Sequence, residues 1–296
     1  MHVVVSGASG LIGRHLVAHL RARGDRVTVL VRRPVRGPDE VRWDPDADRL
    51  DPAALRGVDA AVNLSGAGIG DKRLTPAYRE VVRSSRLRST STLVRALLAQ
   101  DERPAALLNA SAIGWYGEGG ERVLTEDAPR GDDFLAHLCE EWEAAAAPAA
   151  EQGVRTALLR TGLLASPEGG SFGRMMTLFR LGLGGRLGSG RQWWSVVSMP
   201  DLLDAVTFVL DGDLSGPVNL VCPTPARNVV VTRALGRALG RPTLLAVPAP
   251  ALKLALGPLA EQVLGSQRVV PQRLLDAGFR FRHPDADAVA DWLASA

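Results

Sequence analysis

The sequence predicts an α/β protein: a doubly wound parallel sheet of Rossmann type, with a smaller C-terminal lobe on its substrate side. Three observations predict it. Short apolar runs alternate with helical patterns through the first half of the 296 residues. Strand, helix, strand in that rhythm pairs strands in parallel and puts helices on both faces. The first run, Val3-Val4-Val5, passes directly into a glycine-spaced turn that opens a helix. After about residue 165 the texture changes to glycine-rich and proline-rich loops. A dinucleotide-binding domain is therefore expected over 1–165. Residues 166–296 are expected to form mostly the substrate lobe, with some segments returning to the sheet.

The elements follow in order. Leu11 to Arg23 carries Leu11, Ile12, Leu16 and Leu20 at helical spacing. Val27 to Val31 reads as a second buried strand, Val41 to Trp43 as a short third and Ala60 to Leu64 as a fourth. A long helix is expected from Thr75 to Gln100, then a strand from Ala105 to Ser111. A further helix runs from about Asp132 and should stop near Pro148, before a strand at Val154 to Arg160. In the second half, helices are expected near Asp201 to Leu210 and Val229 to Leu239. Right-handed crossovers then complete the doubly wound sheet.

Composition excludes several classes. Hydrophobic residues make up 46% and charged residues 23%, the balance of a soluble globular chain. No apolar run reaches the roughly 18–20 residues that span a bilayer, and the amino terminus has no basic region before its apolar run. A cytoplasmic protein with no membrane partner is expected. The net charge is only +3, and the arginines alternate with acids, so no nucleic-acid partner is expected either. Cys139 and Cys222 stand alone, which argues against a disulfide framework or zinc site, and the histidines offer no metal-ligand spacing beyond His15 and His19. No metal is expected. Asp44, Asp46 and Asp48 alternate like a calcium loop, but Arg49 and Leu55 stand where that loop needs Gly and Glu; they read as turn carboxylates.

The glycine turn carries the chemistry. Gly7 permits a tight turn, Gly10 lets backbone N–H groups approach a pyrophosphate, and Gly13 lets the helix pack close to the strand. With Ser9, Leu11 and Ile12, these residues form the expected diphosphate site at a helix amino terminus. The end of the second strand selects the dinucleotide. An NAD site carries Asp or Glu there to hold the ribose hydroxyls; this chain has Arg32 and Arg33 and no acid before Asp39. Guanidinium groups match a 2′-phosphate, so NADP(H) is expected in preference to NAD(H).

Further segments carry a resemblance along almost the whole chain: GASGLIGRHL (7–16), DAAVNLSG (59–66), SSRLRST (84–90), NASAIGWYG (109–117), LLRTGLLAS (158–166), FRLGLGGRLGSGRQ (179–192) and GSQRVVPQRLLDAGFRF (265–281). Together they resemble the extended and atypical short-chain dehydrogenase/reductases, and within them the epimerase branch of NAD(P)-dependent epimerase/dehydratase-like proteins. The tail and the FRLGLGG stretch are the most specific; the glycine turn is shared by the whole superfamily. The resemblance implies that Leu64, Ser65 and Gly66 line the ribose and nicotinamide side of the cofactor, with Arg86 nearby on the long helix. It implies that Ser111 fills the serine or threonine slot beside the nicotinamide, and that Thr161, Gly162 and Leu163 lie beside the carboxamide. A homodimer through the two long helices is common among such proteins.

In that superfamily a tyrosine moves a proton while hydride is transferred, and a lysine four residues on lowers its pKa. The pair is absent here: Val82 follows Tyr78 at that spacing and Gly120 follows Tyr116. Asp133 and His137 occupy the two places. Ser111 and Tyr116 are therefore the catalytic candidates, with Tyr116 read either as a proton donor or as an aromatic packed beneath a loop. Ser198 stands where relatives carry a histidine, and Asp201 is expected to cap the following helix. Trp193 and Trp194 read as a pocket wall or as core, and segment 182–190 with Arg191 as substrate-holding. The expected function is an NADP-dependent oxidoreductase or epimerase acting on a small hydroxyl- or carbonyl-bearing substrate, a nucleotide sugar among them. The alternative is a non-catalytic NADP(H)-binding protein that reports redox state to a partner.

Overall fold

Seven parallel strands form the central sheet of the computed structural model, which describes the backbone of residues 1–296 and all side chains except those of Ser171 and Arg174. They are β1 His2–Ser6, β2 Arg26–Val31, β3 Glu40–Arg42, β4 Ala60–Asn63, β5 Ala106–Ala112, β6 Arg155–Thr161 and β7 Gly216–Leu220. Their spatial order is β7-β6-β5-β4-β1-β2-β3. The chain reverses direction across the sheet between β1 and β4, which opens a crevice at the carboxyl ends of the strands.

Period-two alternation explains the two layers. Val3 and Val5 of β1 join one core with Leu16 and Leu20 of α1 (Leu11–Ala22) and Leu202 and Val206 of α5 (Met199–Asp211). Val4, between them, joins the opposite core with Leu93 and Leu97 of α2 (Pro76–Leu98) and Ala146 and Ala149 of α3 (Phe134–Glu151). Strands buried on both faces read as continuous valine runs, as β1 and β2 do.

Caps set the helix starts. Thr75 Oγ1 accepts from the Tyr78 N–H at 3.2 Å, with Pro76 in the first turn, and Asp133 Oδ1 accepts from the Ala136 N–H at 2.8 Å. The expected stop at Pro148 is corrected. α3 runs on to Glu151, because a proline in the last turn removes only its own donor. The Pro148 carbonyl still accepts from Gln152 N–H at 3.2 Å, and Ala149 from Val154 N–H at 2.9 Å.

Helix α4 (Gly170–Arg180) and helix α6 (Asn228–Ala238) belong to the second half of the chain, joined there by short paired strands. Leu163–Ala165 pairs with Val196–Ser198, and Gly185–Leu187 with Leu245–Val247. Strand Arg268–Val269 pairs with Val123–Leu124, just beyond β5, and so ties the carboxyl-terminal segment over the sheet's carboxyl edge. β7 itself is supplied from this half and lies beside β6. Among the described residues no helix is long and apolar enough to cross a membrane.

Candidate functional site

The glycine turn is built as the spacing requires. Gly7 has φ +72°, and a Cβ there would stand 2.6 Å from the Leu64 carbonyl carbon and oxygen, so only glycine lets the end of β1 press against the end of β4. A Cβ on Gly13 would stand 2.2 Å from the Gly7 oxygen. Gly10 caps α1 with no side-chain hydrogen bond, and the first turn holds no acid, so among the described residues no side chain caps its N–H groups. That cradle fits a diphosphate.

A cavity of about 530 Å³ lies beside the turn, lined by Ser9, Arg14, Val31, Arg32, Arg33 and Glu40 among others. The two arginines differ. Arg33 donates Nη1 to Glu40 Oε2 at 2.8 Å and Nη2 to Glu40 Oε1, and the Arg36 N–H also reaches Glu40. Those bonds, the Arg33 one largest, hold the Glu40 carboxyl down at about 2. Arg32 is exposed and meets no carboxylate among the described residues. Of the two, Arg32 is thus the one without a carboxylate partner, while Glu40 takes Nη1 and Nη2 of Arg33 and leaves its Nε. Arg14 also faces the cavity and pairs with Glu168 at 2.6 Å.

Two buried polar networks fix the strand ends. In the first, the Ser6 hydroxyl donates to Asn63 Oδ1 at 2.5 Å, and Asn63 Nδ2 donates to Asn109 Oδ1 at 2.6 Å and Thr90 Oγ1 at 2.9 Å. Trp142 Nε1 donates to the same Thr90 oxygen at 3.1 Å. This ties β1, β4, β5, α2 and α3 together just below the site. In the second, Ser111 Oγ donates to Glu143 Oε1 at 2.6 Å, and Arg160 grips both Glu143 oxygens at 2.8 and 2.9 Å. Arg160 Nη1 donates to Tyr116 Oη at 3.1 Å, and Tyr116 donates to Asn219 Oδ1 at 2.7 Å.

Tyr116 is therefore corrected as a proton donor. Its side chain is 1% exposed and its hydroxyl is committed to Asn219. Burial pushes the phenol up to about 12, against the opposite pull of Arg160, whereas a catalytic tyrosine needs a lowered pKa. Ser111 lies at the end of β5 as expected, 4% exposed and bonded to Glu143. Leu64, Ser65 and Gly66 follow β4, and Thr161 ends β6 with Gly162 and Leu163 after it, so both triplets reach the carboxyl edge. A Cβ on Gly162 would stand 2.5 Å from the Ser195 oxygen, which makes it a packing glycine as well. Arg86 lies beneath Gly66, bonded to Ala67 and Val82 carbonyls at 2.9 Å.

Other places are filled by structural roles. Asp133 caps α3, and His137 is exposed beside Arg130 and Glu140. Ser198, not Asp201, caps α5: its Oγ accepts from the Asp201 N–H at 3.2 Å. Asp201 instead accepts from the Arg282 and His283 N–H groups at 2.6 and 2.9 Å. Trp193 is sandwiched between Arg227 and Arg268, while Trp194 is buried against Phe172. Sequence reasoning missed Asn63, Asn109, Glu143 and Arg160. The signal available was a set of polar residues inside otherwise apolar strands and one glutamate on the buried stripe of α3.

A family model described as the NAD dependent epimerase/dehydratase family matches residues 3–220. The chain belongs to that family. A model for a domain of unknown function matches residues 247–293, the segment that closes over the carboxyl edge. An epimerase family protein of Mycobacterium bovis is 44% identical over 283 residues, 95% of this chain and 93% of its own length. The crystal structure of the human epimerase family protein SDR39U1 (isoform 2) with NADPH is 32% identical, with a TM-score of 0.92 over 100% of this chain and 99% of that one. A nucleoside-diphosphate sugar epimerase from Corynebacterium glutamicum is 34% identical, with a TM-score of 0.81, and this chain covers 58% of its length. The resemblance read from the motifs is family membership along the chain.

Proposed function

We propose that the protein binds NADP(H) and uses it as an oxidoreductase or epimerase on a small hydroxyl- or carbonyl-bearing substrate. The observation that carries the cofactor choice is Arg32, exposed and free of any carboxylate on the rim of a cavity at the end of β2. Its guanidinium suits a 2′-phosphate. The human relative crystallised with NADPH supports the same choice. The turn over Gly7, Gly10 and Gly13, with the start of α1, would hold the diphosphate. Leu64 to Gly66 and Thr161 to Leu163 would flank the nicotinamide, which when bound supplies or accepts a hydride.

A substrate hydroxyl would have a hydrogen-bond partner other than Tyr116. Ser111 Oγ donates to Glu143, so its lone pairs remain to accept from a substrate hydroxyl. Ser111→Ala should then abolish turnover while leaving NADPH affinity within about threefold. The cofactor reading is tested by fluorescence titration of NADPH and NADH; tighter binding of NADH to the unaltered protein sinks it.

A second reading is a redox reporter that binds NADP(H) without turnover. It is favoured by the missing Tyr–Lys pair and the capping role of Asp133. Incubating 4-deuterated NADPH with a metabolite pool separates the two: label in any product supports the enzyme, and none supports the reporter.

A further inference from the structure

Arg86 carries an unbalanced charge inside the site. Its Nη1 donates to the Ala67 and Val82 carbonyls, both at 2.9 Å, and these use that nitrogen's two hydrogens. Nε is buried and has no partner, and among the described residues no acceptor meets Nη2. Nε and Nη2 share the side-on edge of the guanidinium, the edge that grips an oxyanion through two parallel N–H bonds. One face of the group lies 4.8 Å over the Trp142 ring, and Gly66 covers it closely enough that a Cβ there would come within 3.3 Å of Cζ.

The groups around it do not answer the charge. Cys139 lies close enough that Arg86 and Ser111 both draw its pKa down, yet burial pushes the thiol up to about 12, so it stays neutral. Tyr78, the other ionisable group that feels Arg86, is pushed upward by burial and donates its hydroxyl to Gly68 O at 2.7 Å. A half-buried cation without a counter-ion is costly to hold in a fold unless something else pairs it. The contacts with Gly66 and Ala67 put that vacancy at the end of β4.

We infer that Arg86 is the receptor for an oxyanion of the substrate, a carboxylate or phosphate gripped on the guanidinium's Nε–Nη2 edge at the end of β4. The inference deepens the function proposed above and rests on that reading only for the oxyanion being the substrate's. The diphosphate of the cofactor is allotted to the start of α1, so the two anions bind independently.

Trp142, stacked on Arg86, provides the signal. Tryptophan emission is followed while chloride is exchanged for acetate, and separately for inorganic phosphate, at constant ionic strength, with and without saturating NADP⁺. The unaltered protein should respond saturably to acetate or to phosphate, and whichever gives the response names the head group. Losing a charge-assisted pair should weaken it by about 10–100-fold in Arg86→Gln. Arg86→Lys, which keeps the charge but not the side-on edge, should fall between, and serves alone if the glutamine variant does not fold by circular dichroism. NADP⁺ affinity should stay within about threefold in both variants. No saturable response to either anion, an unchanged response in Arg86→Gln, disappearance of the response at saturating NADP⁺, or a loss of NADP⁺ affinity beyond about tenfold would each overturn the inference. Anion binding without any NADP⁺ binding would instead sink the cofactor reading and leave Arg86's oxyanion site standing.

Discussion

Two side chains that look alike in the sequence, Arg32 and Arg33, are separated by a contact that sequence distance hides. Strand β3 pairs with β2 so that Val29 lies beside Glu40, and Glu40 then fills the fork of Arg33. The next acids along the chain, Asp39 and Glu40, lie past the strand end, and the pairing of β3 with β2 folds Glu40 back onto Arg33. Arg32→Asp should therefore weaken NADPH by about 10–100-fold, the worth of a charge-assisted contact, and erase the preference over NADH in a fluorescence titration. Tyr116 shows the same limit. Its place after β5 was legible, but the direction of its hydroxyl depends on Asn219, 103 residues on. Tyr116→Phe leaves the Asn219 oxygen without its donor and should cost about 1–3 kcal/mol in urea unfolding. Turnover should survive within a few-fold, and a loss beyond about a hundredfold would return Tyr116 to the reaction.

Elements were legible where one period dominates. β1, β2 and α1 could be read from valine runs and leucine spacing, because both faces of the strands and one stripe of the helix are buried. The end of α3 was not, since Pro148 breaks one bond and the helix has no further donor to lose there. The join of β2 to β3 yields a prediction in pH. Glu40 is held at about 2, well below its usual 4.5, chiefly by the Arg33 bond. A depressed carboxyl contributes stability that is fully present above 4.5 and is lost as pH falls toward about 2. Arg33→Ala removes that linkage, so melting temperature followed by calorimetry should decline less steeply across this acid window than in the unaltered protein. An equal slope in both would mean that the pair does not couple to folding. The turn itself should tolerate no side chain: Gly13→Ala puts a Cβ against the Gly7 oxygen and should abolish dinucleotide binding by titration.

For the whole molecule, what holds the second half over the site is a small number of long-range polar bonds that no periodicity encodes. Gln267 is the clearest. Its Nε2 donates to Ile113 O at 3.1 Å and Gly117 O at 3.0 Å, on either side of the turn that carries Tyr116. Its own carbonyl accepts from Ser195 Oγ at 2.8 Å, and its N–H reaches Trp193 O at 3.1 Å, so its backbone is fixed from the other side. The glutamine side chain is thus a clasp between the carboxyl-terminal segment and the end of β5, the strand that carries Ser111. Gln267→Ala leaves the backbone bonds in place and strips two carbonyls of their donor, at about 1–3 kcal/mol. The loss falls on a local opening rather than on the sheet, because β1, β2 and β4 share none of these atoms. Hydrogen exchange should therefore quicken by about tenfold or more at the amides of 113–117 and 266–270, with β1 and β2 unchanged. Uniform acceleration across the sheet would show that the clasp is part of the global fold. Unchanged exchange at 113–117 would show that the paired strands Val123–Leu124 and Arg268–Val269 hold the segment down without it.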